Sequence, residues 1–241
     1  MKRRRKLLGG LLALALSFSI TSAIAQIFEH RSVMFVLVDL SETWHRADTH
    51  SRNEELLIRV NRGVAELASR TERPAYIAFI GIEGQSLAPT PICHATYHSA
   101  LLRGSKKQVH LKNPAELATF LETCIKAALS RPTAKWTDIS GALDLMRRQM
   151  GDEPKATERF AVVLSDMKEE RKSKIPIEAA LNGFRIVVAY RVLPEDDRDP
   201  KAFNDRLAHW REKLKRWGGS VTMIVDTGLV GETIADMARK K

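Results

Sequence analysis

The chain has 241 residues, of which 44% are hydrophobic, 28% charged and 6% aromatic. This ordinary globular composition excludes collagen-like, disordered and multi-span membrane proteins. The formal charge of +10 first suggests a nucleic-acid partner. Residues 1–25, however, carry five basic side chains and no acidic one, which leaves the rest of the chain with half of that charge. Since basic and stacking aromatic side chains are not clustered there, we expect no nucleic-acid partner.

The N-terminus has the pattern of an export signal. Residues 2–6 are all basic, and a long apolar stretch follows them. Ala23 and Ala25 place small side chains where signal peptidase cleaves, which predicts a signal peptide over 1–25. We therefore expect an exported protein, periplasmic or secreted, with one domain over 26–241. The alternative is an uncleaved segment that anchors the protein in a membrane, because this apolar stretch is just long enough to span a bilayer.

The chain contains two cysteines, Cys93 and Cys124. In an oxidising compartment an even pair suggests one disulfide. Cys124 also lies on an apolar helical stripe, where a free cysteine is commonly a small buried hydrophobe. Spacing alone leaves both alternatives open, because a disulfide depends on geometry.

Apolar runs alternate with amphipathic helical patterns along the rest of the chain. The runs show little polar alternation, which is typical of parallel strands buried on both faces. They are Val33–Val38, Tyr76–Ile80, Phe160–Leu164, Ile186–Tyr190 and Val221–Val225. Helical stripes include Leu57, Val60, Val64 and Leu67; Leu117, Leu121 and Cys124; Ile139, Leu143 and Met146; and Phe203, Leu207, Trp210, Leu214 and Trp217. This alternation predicts an α/β fold with a doubly wound, mostly parallel sheet flanked by helices on both faces.

Residues 83–112 interrupt this alternation. We predict a hairpin excursion there, with one edge strand near Gln108–Leu111. The acidic segment Glu195–Asp199, which follows the predicted strand at 184–193, and the mixed-charge segment Lys168–Lys174 are both interpreted as solvated.

Three loops with oxygen-bearing side chains are predicted to open at one edge of the sheet. The first strand runs into Asp39, Ser41 and Thr43, and a later strand runs into Asp166. Thr137 lies just before a helical stripe. Ligands of doubly wound sheets bind beyond the carboxyl ends of the strands, where the strand order reverses. This edge is therefore the predicted functional site.

The pattern Asp39-x-Ser41-x-Thr43, Thr137 ahead of Gly141-Ala142-Leu143, and a strand ending at Asp166 resembles the von Willebrand factor type A (VWA) family. The resemblance covers nearly all of residues 31–240 and implies a metal-ion-dependent adhesion site. In that site Ser41, Thr43 and Thr137 would be direct ligands, while Asp39 and Asp166 would orient water or bind directly. The resemblance implies Mg²⁺ or Mn²⁺ as the ion. One departure is Met167, which stands where the family usually has glycine and is expected to crowd or reshape the loop.

The residues agree with a hard divalent cation, which prefers oxygen ligands and retains several waters. A carboxylate of a partner protein could complete its coordination. We therefore expect a binding protein rather than an enzyme, whose partner presents an Asp or Glu side chain. A place in a larger envelope complex is compatible with this expectation.

Three alternatives compete with this interpretation. A metal-free scaffold could bind its partner through the 83–112 excursion. A phosphatase of the haloacid-dehalogenase type would use Asp39 as nucleophile, but Ser41 stands where its general acid/base Asp is needed. A zinc site at Cys93, His94 and His98 lacks an obvious fourth ligand.

Trp44, close to the metal loop, is a candidate partner contact or a buried anchor.

Overall fold

The computed structural model describes residues 31–41, 50–84, 91–97, 110–132, 134–149, 156–171 and 176–239. In this part of the chain seven strands form one sheet with six α-helices. The strands are β1 Ser32–Asp39, β2 Ala75–Ile82, β3 Cys93–Tyr97, β4 His110–Leu111, β5 Glu158–Ser165, β6 Phe184–Tyr190 and β7 Ser220–Ile224. The helices are α1 His50–Arg70, α2 Pro114–Leu129, α3 Ile139–Gln149, α4 Pro194–Arg198, α5 Pro200–Arg216 and α6 Val230–Asp236, and 3₁₀ turns at Thr227–Leu229 and Met237–Arg239 flank α6.

The sheet has the strand order β4-β3-β2-β1-β5-β6-β7. All neighbouring strands are parallel except β2 and β3, which are antiparallel. The chain extends the sheet from β1 toward β2 and β3, and later from β5 toward β6 and β7. This arrangement confirms the predicted doubly wound α/β sandwich, with the strand order reversing between β1 and β5.

The sheet is buried on both faces because its strands are apolar without alternation. Every residue of β1 is buried. Successive residues of this strand belong to different cores, as Val36 and Val38 pack with α1, α2 and α6, whereas Phe35 and Leu37 pack with α3 and α5. A strand between two helical layers needs this continuous hydrophobicity.

The 83–112 excursion contains more regular structure than its sequence predicts. β3 pairs antiparallel with β2, as in a hairpin, and the predicted edge strand is present as the two-residue β4. β3 was missed, because the segment Cys93–Tyr97 is only partly apolar and lies at the side of the sheet. A disulfide joins Cys93 to Cys124 of α2, with a Cα–Cα distance of 5.8 Å. The disulfide is therefore confirmed, and Cys93 is not available to bind zinc.

Four residues of Glu195–Asp199 are exposed, as predicted, but the interpretation as a solvated loop was wrong for Asp196 and for the secondary structure. β6 ends at Tyr190, and Pro194 begins the short helix α4. The Asp196 carboxylate is buried and accepts hydrogen bonds from the Tyr190 hydroxyl at 3.0 Å and from the Leu193 N–H at 2.8 Å. Arg206 of α5 forms an ion pair with it. Paired in this way, a carboxylate can be buried next to the sheet.

Helices α1 and α6 pack together closely at two glycines. A Cβ atom added to Gly63 would lie 2.6 Å from the Gly231 carbonyl oxygen. Only glycine allows the two backbones to approach this far. Among the described helices none is both long and apolar enough to cross a membrane. The predicted signal peptide over 1–25 lies outside the described residues.

Candidate functional site

The predicted site lies where the strand order reverses. β1 and β5 are parallel neighbours, and Val38 is paired with Leu164. Asp39 is the last residue of β1, and Asp166 directly follows β5. Because the two strands point the same way, their carboxyl ends bring these two aspartates to the same edge of the sheet.

Asp39 is buried and hydrogen-bonded on both carboxylate oxygens, with 1% of its surface exposed. Its Oδ1 accepts a hydrogen bond from the Ser41 N–H at 2.9 Å. Its Oδ2 accepts one from the Ser165 hydroxyl at 2.7 Å. Burial, and after it the nearby negative charge of Asp166, outweigh the lowering effect of these hydrogen bonds and raise the pKa of Asp39 to about 6.

Two isolated backbone bridges join the three loops of the site. Ser41 is bridged to Ala134, whose N–H donates to the Leu40 carbonyl at 2.8 Å. Thr137 is bridged to Glu170 by two hydrogen bonds, each 2.9 Å long. The loop before α3 is thus attached on one side to the loop after β1 and on the other to the loop after β5.

Asp138 directly precedes α3. Its Oδ1 accepts a hydrogen bond from the Gly141 N–H at 2.8 Å, as a helix-capping side chain does. A Cβ atom at Gly141 would collide with the Asp138 carboxylate at 2.1 Å. A glycine at this position therefore lets Asp138 cap the helix immediately after Thr137.

Four of the five predicted ligands lie at this edge and are nearly inaccessible to bulk solvent. The exposed fractions are 1% for Asp39, 7% for Ser41, 5% for Thr137 and 3% for Asp166. The fifth, Thr43, lies outside the described residues, as do Trp44 and His45. Hydroxyl and carboxylate oxygens make up the described set, which is the donor chemistry that fits Mg²⁺ or Mn²⁺.

The charge of the site also fits a cation. In the described part of the chain, the groups that act on the pKa of Asp39 are Asp166, Ser165 and Ser41, and none of them is positively charged. Two neighbouring buried carboxylates repel each other unless a cation or a proton offsets their charge. No cluster of three or more His, Cys, Asp or Glu side chains that could hold a metal ion occurs among the described residues.

Met167 has a backbone φ of 56°, which is the left-handed conformation that favours glycine. Its N–H donates to the Ser165 hydroxyl at 2.9 Å, and its carbonyl accepts from Trp210 Nε1 at 2.8 Å. The side chain is fully buried in the core on the α3 and α5 side of the sheet. The Met167 side chain packs into the core instead of crowding the loop, and the backbone at Met167 takes the left-handed conformation that a glycine would have.

Sequence reasoning missed two features of the site. The Ser165 hydroxyl connects Asp39 to the Met167 backbone, and its position at the very end of a strand was a usable signal. The interpretation of Lys168–Lys174 as solvated was wrong for Glu169, whose side chain is only 15% exposed. Its partner Lys213 lies on a distant helix, so no local pattern predicted the contact.

Comparison with solved structures places this fold among known ones. No protein-family model matches the chain, and the comparison with curated proteins found no match. The structure of proximal thread matrix protein 1 from the mussel byssus aligns with a TM-score of 0.50 at 10% identity, covering 88% of this chain and 46% of that one.

Two further structures score slightly lower. A von Willebrand factor type A protein from Catenulispora acidiphila has a TM-score of 0.48 at 13% identity, covering 88% of this chain and 42% of that one. The pilus adhesin SpaC from Lactobacillus rhamnosus GG has a TM-score of 0.49 at 11% identity, covering 87% and 30%. This chain spans less than half the length of these three chains. The structural neighbours thus include VWA domains, and at these identities the similarity is one of fold.

Proposed function

We propose that this protein is a VWA-like binding domain that captures an acidic side chain of a partner protein through a divalent cation, Mg²⁺ or Mn²⁺. The observation that carries the proposal is the pair Asp39 and Asp166, two buried carboxylates that lie close together at the strand-order reversal. A bound cation would offset the repulsion between the two carboxylates and would offer an open coordination position to a carboxylate of the partner.

The residues divide the work according to their chemistry. The Ser41 and Thr137 hydroxyls are neutral oxygen donors, so they hold a cation without cancelling its charge. Asp39 accepts hydrogen bonds on both oxygens, from the Ser41 N–H and the Ser165 hydroxyl, and is thereby held in place to bind the ion directly or through water. Thr43 belongs to the proposed set as a further hydroxyl. A site with two carboxylates and several hydroxyls leaves the ion attractive to a third carboxylate.

Trp136 gives the site a surface for a partner. Its side chain is 38% exposed although it directly precedes the buried Thr137. The indole packs on Gly84, where an added Cβ atom would lie 2.8 Å from the Trp136 Cβ. Lys135 Nζ lies 5.4 Å from the ring centroid and adds positive charge that favours an acidic partner. A tryptophan held rigid beside a buried site is typical of residues that dominate binding.

The proposed role is binding rather than catalysis. Ser41 stands two residues after Asp39, where a phosphatase of the haloacid-dehalogenase type needs a carboxylic acid to transfer protons. A hydroxyl does not transfer protons efficiently near neutral pH. We extend the proposal to an exported protein that takes part in envelope or extracellular assembly, as the N-terminal pattern predicts.

The test is capture of envelope proteins on the immobilised protein, with Mg²⁺ present and again after chelation by EDTA. We expect specific partners to be lost with EDTA and with an Asp39→Ala, Asp166→Ala double variant, and to be weakened by Trp136→Ala. Ile58→Ala is a matched control, because Ile58 is 52% exposed but lies on α1. Equal recovery with and without EDTA would rule out the metal-bridged mechanism.

The second candidate is a metal-free scaffold that binds through residues 83–112. The observation that favours it is the disulfide, which ties β3 of this excursion to α2. In that case a reducing agent should abolish capture and EDTA should leave it unchanged. The two treatments therefore distinguish the candidates in one experiment.

A further inference from the structure

The loop that carries Asp166 is held by a partly buried charge network whose members do not belong to the proposed ligand set. Glu169 lies three residues after Asp166. Its Oε1 accepts a hydrogen bond from the Ser140 N–H at 2.7 Å, in the first turn of α3. Ser140 in turn lies three residues after Thr137. One carboxylate therefore connects the segments that bear two of the proposed ligands.

Lys213 of α5 completes this network. Its Nζ donates to the Ser140 hydroxyl at 2.8 Å and to Glu169 Oε2 at 3.3 Å. The ammonium lies 4.2 Å from the centroid of the Trp210 ring and 5.0 Å from that of Trp217. Only 18% of the Lys213 side chain is exposed. The lysine is thus fixed between two aromatic rings and two hydrogen-bond acceptors, and its position is set by α5.

The same helix also holds the backbone beside Asp166. Trp210 Nε1 donates to the Met167 carbonyl, and the Met167 N–H donates to the Ser165 hydroxyl, which reaches Asp39. Helix α5 therefore contacts this loop twice, through the hydrogen bond to the Met167 carbonyl and through the ion pair between Lys213 and Glu169. Arg171 Nε, at 3.7 Å from Glu169 Oε2, adds a second positive charge to the pair.

We propose that Glu169 and Lys213 are positioning residues that set the separation of Thr137 and Asp166 and so tune the affinity of the site for a divalent cation. This inference rests on the proposed function. The reason is geometric, since ligands on two loops bind one ion well only if both loops are fixed before the ion arrives. Glu169 fixes them through its hydrogen bond with the Ser140 N–H, and Lys213 orients the Glu169 carboxylate.

The experiment measures Mn²⁺ affinity by calorimetric titration of the purified full-length protein after metal removal with EDTA. We expect Glu169→Gln and Lys213→Met each to weaken Mn²⁺ binding by about 10-fold or more, in line with the effect of removing outer partners of metal ligands. Lys213→Arg should restore affinity to within about 3-fold, because it retains the charge and stacks on tryptophan. The double variant should lose no more than either single one, since the two residues act as a unit.

Two controls separate a positioning role from general stability. Lys201→Met removes an exposed ion pair of the same helix, with Asp205 at 2.6 Å, and should leave Mn²⁺ affinity unchanged. Thermal unfolding of each metal-free variant shows that the protein is folded at the titration temperature. If the wild type binds Mn²⁺ and Glu169→Gln binds it equally well, this inference is overturned while the proposed function stands. If the wild type does not bind Mn²⁺, the proposed function fails and this inference fails with it.

Discussion

Asp39→Asn should stabilise the metal-free protein while it removes metal binding. The pKa of Asp39 is about 6 in the folded protein against an ordinary value of 3.8. The folded protein therefore holds this proton more tightly than the unfolded chain does. The stabilising effect of that proton is complete below an ordinary aspartate pKa and is lost as the pH rises through about 6. At neutral pH the charged carboxylate costs the metal-free protein roughly 3 kcal/mol.

An asparagine keeps the shape of the side chain without the charge. Its oxygen can accept the Ser41 N–H, and its amide can donate to the Ser165 hydroxyl, which rotates to accept. Since about 1 kcal/mol shifts the unfolding temperature of a domain of this size by about 2–4 °C, the variant should unfold roughly 6–12 °C above the wild type at about pH 7.5. The difference should shrink as the pH falls and nearly vanish at about pH 4.

The assay is thermal unfolding followed by circular dichroism in EDTA, across this pH range, for both proteins. Subtracting the two curves removes the contribution of titrating groups that do not interact with Asp39, so what remains belongs to Asp39 and its neighbour Asp166. Asp144→Asn is a control that should lower the unfolding temperature instead of raising it. The buried Asp144 carboxylate accepts hydrogen bonds from Arg147 at 3.2 Å and Arg148 at 2.8 Å. That variant should lose roughly 1 kcal/mol. A lower unfolding temperature for Asp39→Asn at neutral pH, or a difference independent of pH, would refute the reasoning.

Three further predictions concern residues outside the proposed ligand set. Replacing Cys93 and Cys124 together by serine removes a disulfide that closes a loop with a sequence separation of 31. The free energy of unfolding in urea should fall by about 3–4 kcal/mol, and the Mn²⁺ affinity should not change. Gly63→Ala places a methyl group 2.6 Å from the Gly231 carbonyl oxygen, and should cost about 1–3 kcal/mol by thermal unfolding as α1 and α6 separate. Met167→Gly relieves the left-handed backbone but removes a fully buried side chain, so a net loss of about 2–4 kcal/mol is expected in urea.

Each of these has an outcome that contradicts its reasoning. Loss of Mn²⁺ binding in the double serine variant would mean that the metal site depends on the disulfide. Unchanged stability of Gly63→Ala would show that the helices can separate at no cost, and Arg62→Ala, on an exposed position of α1, is the matched control. A more stable Met167→Gly protein would mean that backbone strain outweighs the packing of the methionine.

The sheet could be predicted from the sequence because strands that are buried on both faces have continuous apolar runs. A run such as Val33–Val38 has no polar residue, and only a central parallel strand between two helical layers requires that. β3 was missed because a strand near the edge of the sheet needs apolar residues at only some positions. α4 was missed because its acidic residues suggest solvent, whereas the Asp196 carboxylate is buried by a pairing with Arg206 of another helix.

The site, too, could be predicted only in part. Asp39 and Asp166 could be predicted because each follows an obvious strand, and parallel strands bring such ends together. The hydrogen bond from Ser165 to Asp39 and the contact of Lys213 with Glu169 join positions that are far apart in the chain. No local pattern predicts such contacts, since they depend on how α5 packs against the loop after β5.

The most direct test of the central claim is calorimetric titration of Mg²⁺ and Mn²⁺ into the purified wild-type protein, beside an Asp39→Asn, Asp166→Asn double variant. The double variant keeps the shape of both side chains and removes both charges, so a lost affinity would not reflect unfolding. We predict saturable binding of one ion by the wild type and none by a variant that is folded and at least as stable without metal. No binding by the wild type, or equal binding by both proteins, would contradict the proposed metal site.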